Sequence, residues 1–151
     1  MIILRAAKST DLEALIQLYS DFFEEDGIET SVADISNNLN VFLMENKARL
    51  MVAQHNDTLM ALASATLSHG IEFGLTAELE DLYVLPAFRG QGIARKLIAA
   101  ISDWAKDNFA MRLSLVITEE AESQQHLTAF YEKFGFERLP RATMIRSLSS
   151  D

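Results

Sequence analysis

Residues 86–96 read PAFRGQGIARK, and this stretch decides the fold. It follows the apolar run at residues 82–85 and opens an amphipathic segment that begins at Ile93. The pattern predicts a strand that ends in a glycine-containing turn, which becomes the first turn of a helix. The first backbone N–H groups of a helix lack partners within it and lie at its positive end. Such a turn is suited to bind phosphate.

The charges of this stretch point to the same kind of ligand. Arg89, Arg95 and Lys96 are basic, no acid lies among them, and the whole chain has a formal charge of −9. A local basic patch in an acidic chain favours a phosphate-bearing small molecule.

Two familiar phosphate-binding motifs do not fit the spacing. A P-loop needs Lys and then Ser or Thr after its second glycine, whereas Ile93 and Ala94 follow Gly92. A dinucleotide-binding fingerprint needs a third glycine where Arg95 stands.

The residues that do fit are Arg89, Gly92 and Ala94, in the pattern R-x-x-G-x-A. This pattern resembles the acetyl-CoA pyrophosphate loop of the GNAT N-acetyltransferase superfamily, Gln/Arg-x-x-Gly-x-Gly/Ala. Residues 130–136, FYEKFGF, resemble the second CoA-side motif of the same family. The resemblance implies an acetyl-CoA-dependent N-acetyltransferase of the aminoglycoside type or one for another small amine.

The hydrophobic periodicity predicts an α/β fold (an α+β mixed sheet) with helices on both faces. Strands are expected at residues 2–5, 50–54, 58–67, 76–85, 112–118 and, as one strand or a pair, 136–148. Helices are expected from a capping box at Thr10 and Glu13 to Gly27, and at residues 32–44, 91–108 and 122–134. The GNAT resemblance adds a mostly antiparallel sheet that splays between the fourth and fifth strands. At 151 residues, one N-acetyltransferase domain over 1–151 is expected.

Composition excludes several classes of function. The chain has no cysteine, which excludes disulfides, thiolate metal sites and an acetyl-cysteine intermediate. His55, His69 and His126 lack metal-ligand spacing, so no metal is expected. A pI of about 4.8 argues against nucleic acid as a partner. No apolar run or leader suggests a membrane, so a cytoplasmic protein is expected; a homodimer, common in the family, is left open.

The resemblance also implies where acetyl-CoA binds. Residues 82–84 would pair with the pantetheine arm as a pseudo-strand, and the N–H of Val84 would polarise the acetyl carbonyl. Residues 91–95 would hold the pyrophosphate, and Gln124 stands where the family often has Asn. The cofactor-binding candidates are Leu82, Tyr83, Val84, Arg89, Gly90, Gln91, Gly92, Ile93, Ala94, Arg95 and Gln124.

Three residues are candidates for proton transfer. Tyr131 would protonate the departing thiolate, because a phenol with a pKa near 10 stays protonated at neutral pH; its alternative role is to anchor a helix in the core. Glu80 or Asp81 would deprotonate the amine, directly or through water. By strand alternation they point to opposite faces, and Glu80 shares a face with Leu82 and Val84.

Acidic residues suggest a cationic acceptor. Asp21, Glu24, Glu25, Asp26 and Glu29 form one group, and Glu72, Glu78, Glu80 and Asp81 form another. In the family these regions wall the acceptor site, so a small polycationic amine is expected, with aminoglycosides first, polyamines second and protein or peptide amines third. Ordinary solvated surface is the plainer interpretation of such acids. A non-catalytic acyl-CoA sensor and an acyl group longer than acetyl also stay open.

Overall fold

The computed structural model describes residues 1–149 and contains one mixed sheet with the strand order β1-β2-β3-β4-β5. The first four strands pair antiparallel, whereas β5 is parallel to β4. This confirms the predicted mixed, mostly antiparallel sheet. The strands are β1 (Ile2–Ala6), β2 (Ala48–His55), β3 (Thr58–Gly70), β4 (Gly74–Val84) and β5 (Leu113–Ser114).

Five α-helices accompany the sheet within the described residues. They are α1 (Leu12–Glu25), α2 (Val32–Met44), α3 (Ile93–Asp107), α4 (Glu119–Gln125) and α5 (Leu127–Glu132). The chain divides into two compact units, Met1–Ser114 and Leu115–Asp151. The first unit contains the whole sheet with α1 to α3, and the second contains α4 and α5.

One face of the sheet is covered by α1 and α2. Their apolar residues recur at helical spacing, so each helix presents a stripe to the strands. These stripes form one buried cluster with side chains of β2, β3 and β4. Its members are Leu15, Leu18, Tyr19, Phe22, Ile35, Leu39, Leu50, Val52, Leu59, Leu62 and Tyr83.

The opposite face is covered by α3. On β2, Leu50 belongs to the cluster with α1, so its neighbour Arg49 points to the other face. The guanidinium of Arg49 lies 5.9 Å from the ring centroid of Trp104 in α3. Helices therefore flank the sheet on both sides, as predicted.

The start of α1 differs from the sequence-based prediction. A short 3-10 turn, Ser9–Asp11, precedes α1, and the predicted capping box of Thr10 with Glu13 is wrong. Instead, Asp11 accepts hydrogen bonds from the Lys8 N–H at 2.8 Å and from the Arg5 guanidinium at 2.8 and 2.9 Å. A charged carboxylate is the stronger acceptor for these donors.

The fifth strand is shorter than predicted. Pairing with β4 is limited to Ala77 with Leu113 and Glu78 with Ser114, whereas residues 112–118 were expected to extend. Two residues beyond Glu78, the pairing of β4 with β3 has an irregularity at Glu80. Within residues 1–114, the rest of this edge of β4 pairs with no strand.

The predicted helix at residues 122–134 is broken in two. His126 adopts a left-handed conformation with φ of 51°, and α5 begins after it. The carboxylate of Glu122 accepts hydrogen bonds from the N–H and hydroxyl of Thr128, at 2.7 and 2.6 Å. These bonds lower the pKa of Glu122 and satisfy a free donor at the start of α5. Gly135, with φ of 91°, lies shortly after the end of α5.

The last predicted strand, at residues 136–148, is wrong for the part of the chain that the structure describes. Residues 136–149 contain no strand or helix. The Arg141 N–H donates to the Leu139 carbonyl across Pro140, which itself has no N–H to donate. Met144, Ile145 and Leu148 are more than nine-tenths exposed. Apolar residues favour a strand only where a neighbouring strand is available to pair with them.

Candidate functional site

The turn between β4 and α3 has the geometry of an anion site. Gly90 and Gly92 have φ of 78° and 81°, in the left-handed region. A Cβ at either position would meet no atom within 4 Å, so the dihedral angle, and not crowding, favours glycine there. The first bond of α3 runs from the Lys96 N–H to the Gly92 carbonyl at 3.2 Å. The N–H groups of residues 93–95 precede that bond and lie at the positive end of α3.

Arg89, predicted to bind the cofactor, has its side chain turned to other groups. Its Nη2 donates to both carboxylate oxygens of Glu25, at 2.9 and 2.7 Å. Its Nε donates to the carbonyl of Val84 at 2.8 Å. The basic charges in the first turn of α3 are those of Arg95 and Lys96.

The end of β4 presents backbone groups away from β3. The Leu85 N–H donates to the Met60 carbonyl of β3 at 2.9 Å. Because backbone groups alternate along a strand, those of Val84 point to the opposite edge. That edge is the one along which β5 pairs only at Ala77 and Glu78. An extended ligand could therefore pair with β4 there.

Glu80 occupies a β-bulge, which corrects the argument from strand alternation. Asp81 pairs with Ser64 and Leu79 with Ala65, so Glu80 is the extra residue. Asp81 hydrogen-bonds to Ser64 of β3. Glu80 interacts with Thr66, which lies two residues further along β3 and on the same face as Ser64. The two carboxylates therefore lie on the same face of the sheet, and the predicted opposite orientation is wrong.

The environment of Glu80 raises the pKa of its carboxyl. Partial loss of solvation of this otherwise exposed side chain is the largest cause, followed by the negative charges of Glu78 and Asp81. A carboxylate with a raised pKa is a better proton acceptor at neutral pH than an ordinary one.

Asp81 is held by internal hydrogen bonds. Its Oδ2 accepts from the Ser64 hydroxyl at 2.7 Å and from the Tyr19 phenol at 2.9 Å. Burial, and then the charge of Asp81, raise the pKa of Tyr19 well above its usual value, so this phenol stays protonated. Tyr19 is not among the residues predicted from the sequence. The available signal was a tyrosine in the apolar stripe of α1, since a buried phenol needs a hydrogen-bond partner.

Tyr131 lies in α5 of the second unit and packs among aromatic rings. Its ring centroid is 5.1 Å from that of Phe130 and 5.6 Å from that of Phe136, both edge-on. Burial raises the pKa of Tyr131 to about 12. The phenol is therefore protonated at neutral pH and able to donate.

Gln124 lies in α4 of the same unit, where its amide donates to Glu120 at 3.5 Å.

The first acidic group lies around the end of α1. Glu25 accepts hydrogen bonds from Arg89 and, at 3.1 Å, from the Tyr83 phenol, whereas Asp21 accepts one from Gln17 at 3.1 Å. A cavity of about 410 Å³ lies beside this end of α1. Its lining is acidic at Glu24 and Glu29 and apolar at Phe23, Ile28, Val32 and Ile35.

The second acidic group is divided. Glu78, Glu80 and Asp81 lie together on β4, whereas Glu72 lies in the turn between β3 and β4. At about 3.3 Å per residue, the strand from Gly74, where the turn ends, to Glu78 spans roughly 13 Å. Glu72 therefore does not share a site with the other acids of its group.

Residues 1–149 contain no group of three or more acidic or histidine side chains arranged to hold a metal ion. In the same range, no helix combines the length and apolar character that a membrane crossing requires.

These features define a class: an α/β protein with a mixed sheet, in which a glycine turn at the end of β4 opens α3 in a geometry suited to a phosphate-bearing ligand. The sequence model of the family described as acetyltransferase (GNAT) family matches residues 12–136. The chain belongs to the GNAT acetyltransferase family.

The chain is also similar to named acetyltransferases, in sequence and in structure. The aminoglycoside N(6′)-acetyltransferase type 1 of Salmonella typhimurium is 26% identical over 99 residues, which are 63% of this chain and 66% of that enzyme. The match thus spans slightly less than two thirds of the relative's length. Aminoglycoside N-acetyltransferase AAC(6′)-Iy, solved in complex with CoA, has a TM-score of 0.84 at 20% identity, covering 99% of this chain and 96% of that one.

A third protein of similar fold is named for a different acceptor. The ribosomal-protein-alanine N-acetyltransferase from Brucella melitensis biovar Abortus 2308 has a TM-score of 0.75 at 18% identity, covering 97% of this chain and all of that one (100%). At such identities the structural likeness shows the fold. The acceptor has to be inferred from this chain's own residues.

Proposed function

We propose that this protein transfers the acetyl group of acetyl-CoA to a primary amine of a small cationic acceptor, of the aminoglycoside or polyamine kind. The observation that carries the proposal is the turn at Gly90 and Gly92, which opens α3 next to the unpaired edge of β4. The turn suits a pyrophosphate and the edge suits a pantetheine arm. Membership in the GNAT family supports the same ligand.

The cofactor would bind through backbone groups. The N–H groups of residues 91–95 would hold the pyrophosphate, with Arg95 and Lys96 adding positive charge on α3. The pantetheine amides would pair with β4 between Leu82 and Val84. The Val84 N–H would donate to the thioester oxygen and stabilise the negative charge that develops there.

The reaction would be a direct attack. The amine nitrogen forms a bond to the carbonyl carbon, the carbon–sulfur bond breaks, and the thiolate leaves with the electron pair. Glu80 is the better-supported proton acceptor, directly or through a water, because its pKa is raised. Asp81 is a weaker candidate, because one of its oxygens is already engaged by Ser64 and Tyr19.

The thiolate would take its proton from Tyr131. This is supported by the FYEKFGF motif at residues 130–136 and by a pKa of about 12, which keeps the phenol protonated until charge develops on sulfur. Gln124 would contact the cofactor from α4 through its amide.

The acceptor class rests on charge. Asp21, Glu24 and Asp26 lie around the end of α1, and Glu24 and Glu29 line the cavity beside it. A negative wall of this kind attracts and orients a cationic amine. The Salmonella relative is named for an aminoglycoside acceptor, which agrees with this class. A protein or peptide amine is the third candidate, and the Brucella neighbour is named as a ribosomal-protein-alanine N-acetyltransferase.

The test is thiol release from acetyl-CoA in the presence of aminoglycosides, polyamines, amino acids and short peptides. Turnover confined to polycations supports the proposal, and turnover with peptides alone moves the acceptor to a protein. If acetyl-CoA binds in a direct titration but no amine of the panel is acetylated, the acceptor is a whole protein or the chain is an acyl-CoA-binding sensor. Absence of acetyl-CoA binding overturns the proposal.

A further inference from the structure

An ion pair joins the two sides of the proposed reaction. Glu25 ends α1 among the acids that we assign to the acceptor side, and Arg89 begins the cofactor turn. The residues lie 64 positions apart in sequence, yet the Arg89 Nη2 donates to both oxygens of Glu25 at 2.9 and 2.7 Å. The carboxylate is therefore directed at the cofactor loop.

The other end of Arg89 contacts the backbone that would receive the thioester. Its Nε donates to the Val84 carbonyl at 2.8 Å, and its guanidinium carbon lies 5.6 Å from the ring centroid of Tyr83. The planar guanidinium thus connects Glu25 to the last residue of β4. Its orientation fixes the direction of the Val84 peptide groups.

Glu25 is itself held by a rigid partner. The Tyr83 phenol donates to Glu25 Oε1 at 3.1 Å. The Tyr83 ring is buried and stacks on Phe22 of α1, with centroids 4.9 Å apart and an interplanar angle of 17°. Packing therefore places the phenol, the phenol places the carboxylate, and the carboxylate places Arg89.

The position of this ion pair makes a general stabilising role a poor explanation. The side chains of Arg89 and Glu25 are 46% and 36% exposed. Exposed pairs contribute little to the free energy of unfolding, because water screens the charges. Their effect should instead be local, on the geometry of the Val84 backbone and the turn that follows.

We propose that Glu25 is a positioning residue for the cofactor side of the site: through Arg89 it holds the end of β4 in the geometry that receives the thioester. This role rests on the proposed function. It differs from direct binding of the acceptor amine, which the acidic sequence around Glu25 suggests.

The test is Glu25→Gln, which keeps the shape of the side chain and removes its charge. The dissociation constant of acetyl-CoA, from calorimetric titration without an acceptor, should rise roughly five- to tenfold. The KM for acetyl-CoA should rise in parallel, with the KM for the amine nearly unchanged. Glu24→Gln, on the neighbouring cavity-lining acid, should show the opposite split. Glu13→Gln, an exposed acid at the start of α1, should change neither constant.

A second variant, together with thermal unfolding, distinguishes a loss of positioning from a loss of folded protein. Arg89→Lys keeps the charge but cannot reach Glu25 and Val84 together, so it should weaken acetyl-CoA binding to a similar extent. The double variant should then be no worse than either single one, because both break one linkage. Thermal unfolding of all variants should stay close to that of the parent protein.

The outcomes separate the role from the function on which it rests. If the parent protein binds acetyl-CoA and Glu25→Gln binds it equally well, the positioning role is wrong and the proposed function stands. A raised KM for the amine alone would make Glu25 an acceptor ligand, and additive losses in the double variant would make the two residues independent. A parent protein that binds no acetyl-CoA overturns both the function and the role.

Discussion

The phenol of Tyr19 donates a hydrogen bond of 2.9 Å to the carboxylate of Asp81, and this bond joins α1 to β4 beside the bulge at Glu80. Tyr19 is buried, and the same carboxylate oxygen also accepts from Ser64. The bond is thus a fixed cross-link between the helix that ends in the acidic group and the strand that carries the candidate base. Asp81 therefore fixes the position of α1 relative to β4 through a buried hydrogen bond.

Replacing Tyr19 by Phe should therefore destabilise the protein. The ring keeps its packing, but Asp81 loses one of two internal donors, which should lower the free energy of unfolding by about 2 kcal/mol. Urea denaturation measures the difference. Tyr83→Phe is the matched control, because its phenol bonds to the partly exposed Glu25 and should contribute less than about 1 kcal/mol. Equal losses for both variants would contradict a special role for the Asp81 network.

The pH dependence of turnover should identify Glu80 as the base. Its carboxyl must be deprotonated to accept a proton, so kcat/KM should rise with pH through the raised pKa of Glu80 and then level off. Glu80→Gln should lower kcat roughly a hundredfold and abolish that acidic limb. The measurement is a pH profile of kcat/KM with a fixed amine. A variant that retains the limb would assign it to another group.

Glu78 offers a finer test of the same assignment. Its negative charge is the second-largest cause of the raised pKa of Glu80. Glu78→Gln removes that charge and keeps Glu80, so the acidic limb should move to lower pH while the plateau rate stays similar. An unmoved limb would mean that Glu80 is not the titrating group. Glu13→Gln, remote from β4, serves as the control.

The sequence predicts the cofactor turn better than it predicts the base. Gly90 and Gly92 are needed for a backbone conformation that is local to the turn, so residues 86–96 carry the information. The orientation of Glu80 depends on a bulge, which exists only in the pairing of β4 with β3. The break at His126 likewise depends on how Glu122 bonds to Thr128. Neither strand alternation nor helical periodicity in the sequence indicates the β3–β4 pairing that makes the bulge or the bond between Glu122 and Thr128.

Tyr131→Phe separates proton donation from packing. The ring keeps its edge-on contacts with Phe130 and Phe136, and only the hydroxyl is lost. We expect kcat to fall roughly a hundredfold, with the dissociation constant of acetyl-CoA nearly unchanged. Steady-state kinetics combined with calorimetric titration measures both. An unchanged kcat would leave Tyr131 with a packing role only.

Gly92→Ala tests the phosphate turn through its backbone. An alanine at φ of 81° is strained by about 1–2 kcal/mol, although its Cβ meets no atom within 4 Å. The turn should relax away from this conformation, moving the N–H groups of residues 93–95 and weakening acetyl-CoA binding about tenfold. Gly70→Ala is the matched control, because its Cβ also meets no atom within 4 Å and its φ is not in the left-handed region. Calorimetric titration of both variants decides the matter: equal affinities would place the pyrophosphate elsewhere, whereas a loss confined to Gly92→Ala would assign it to this turn.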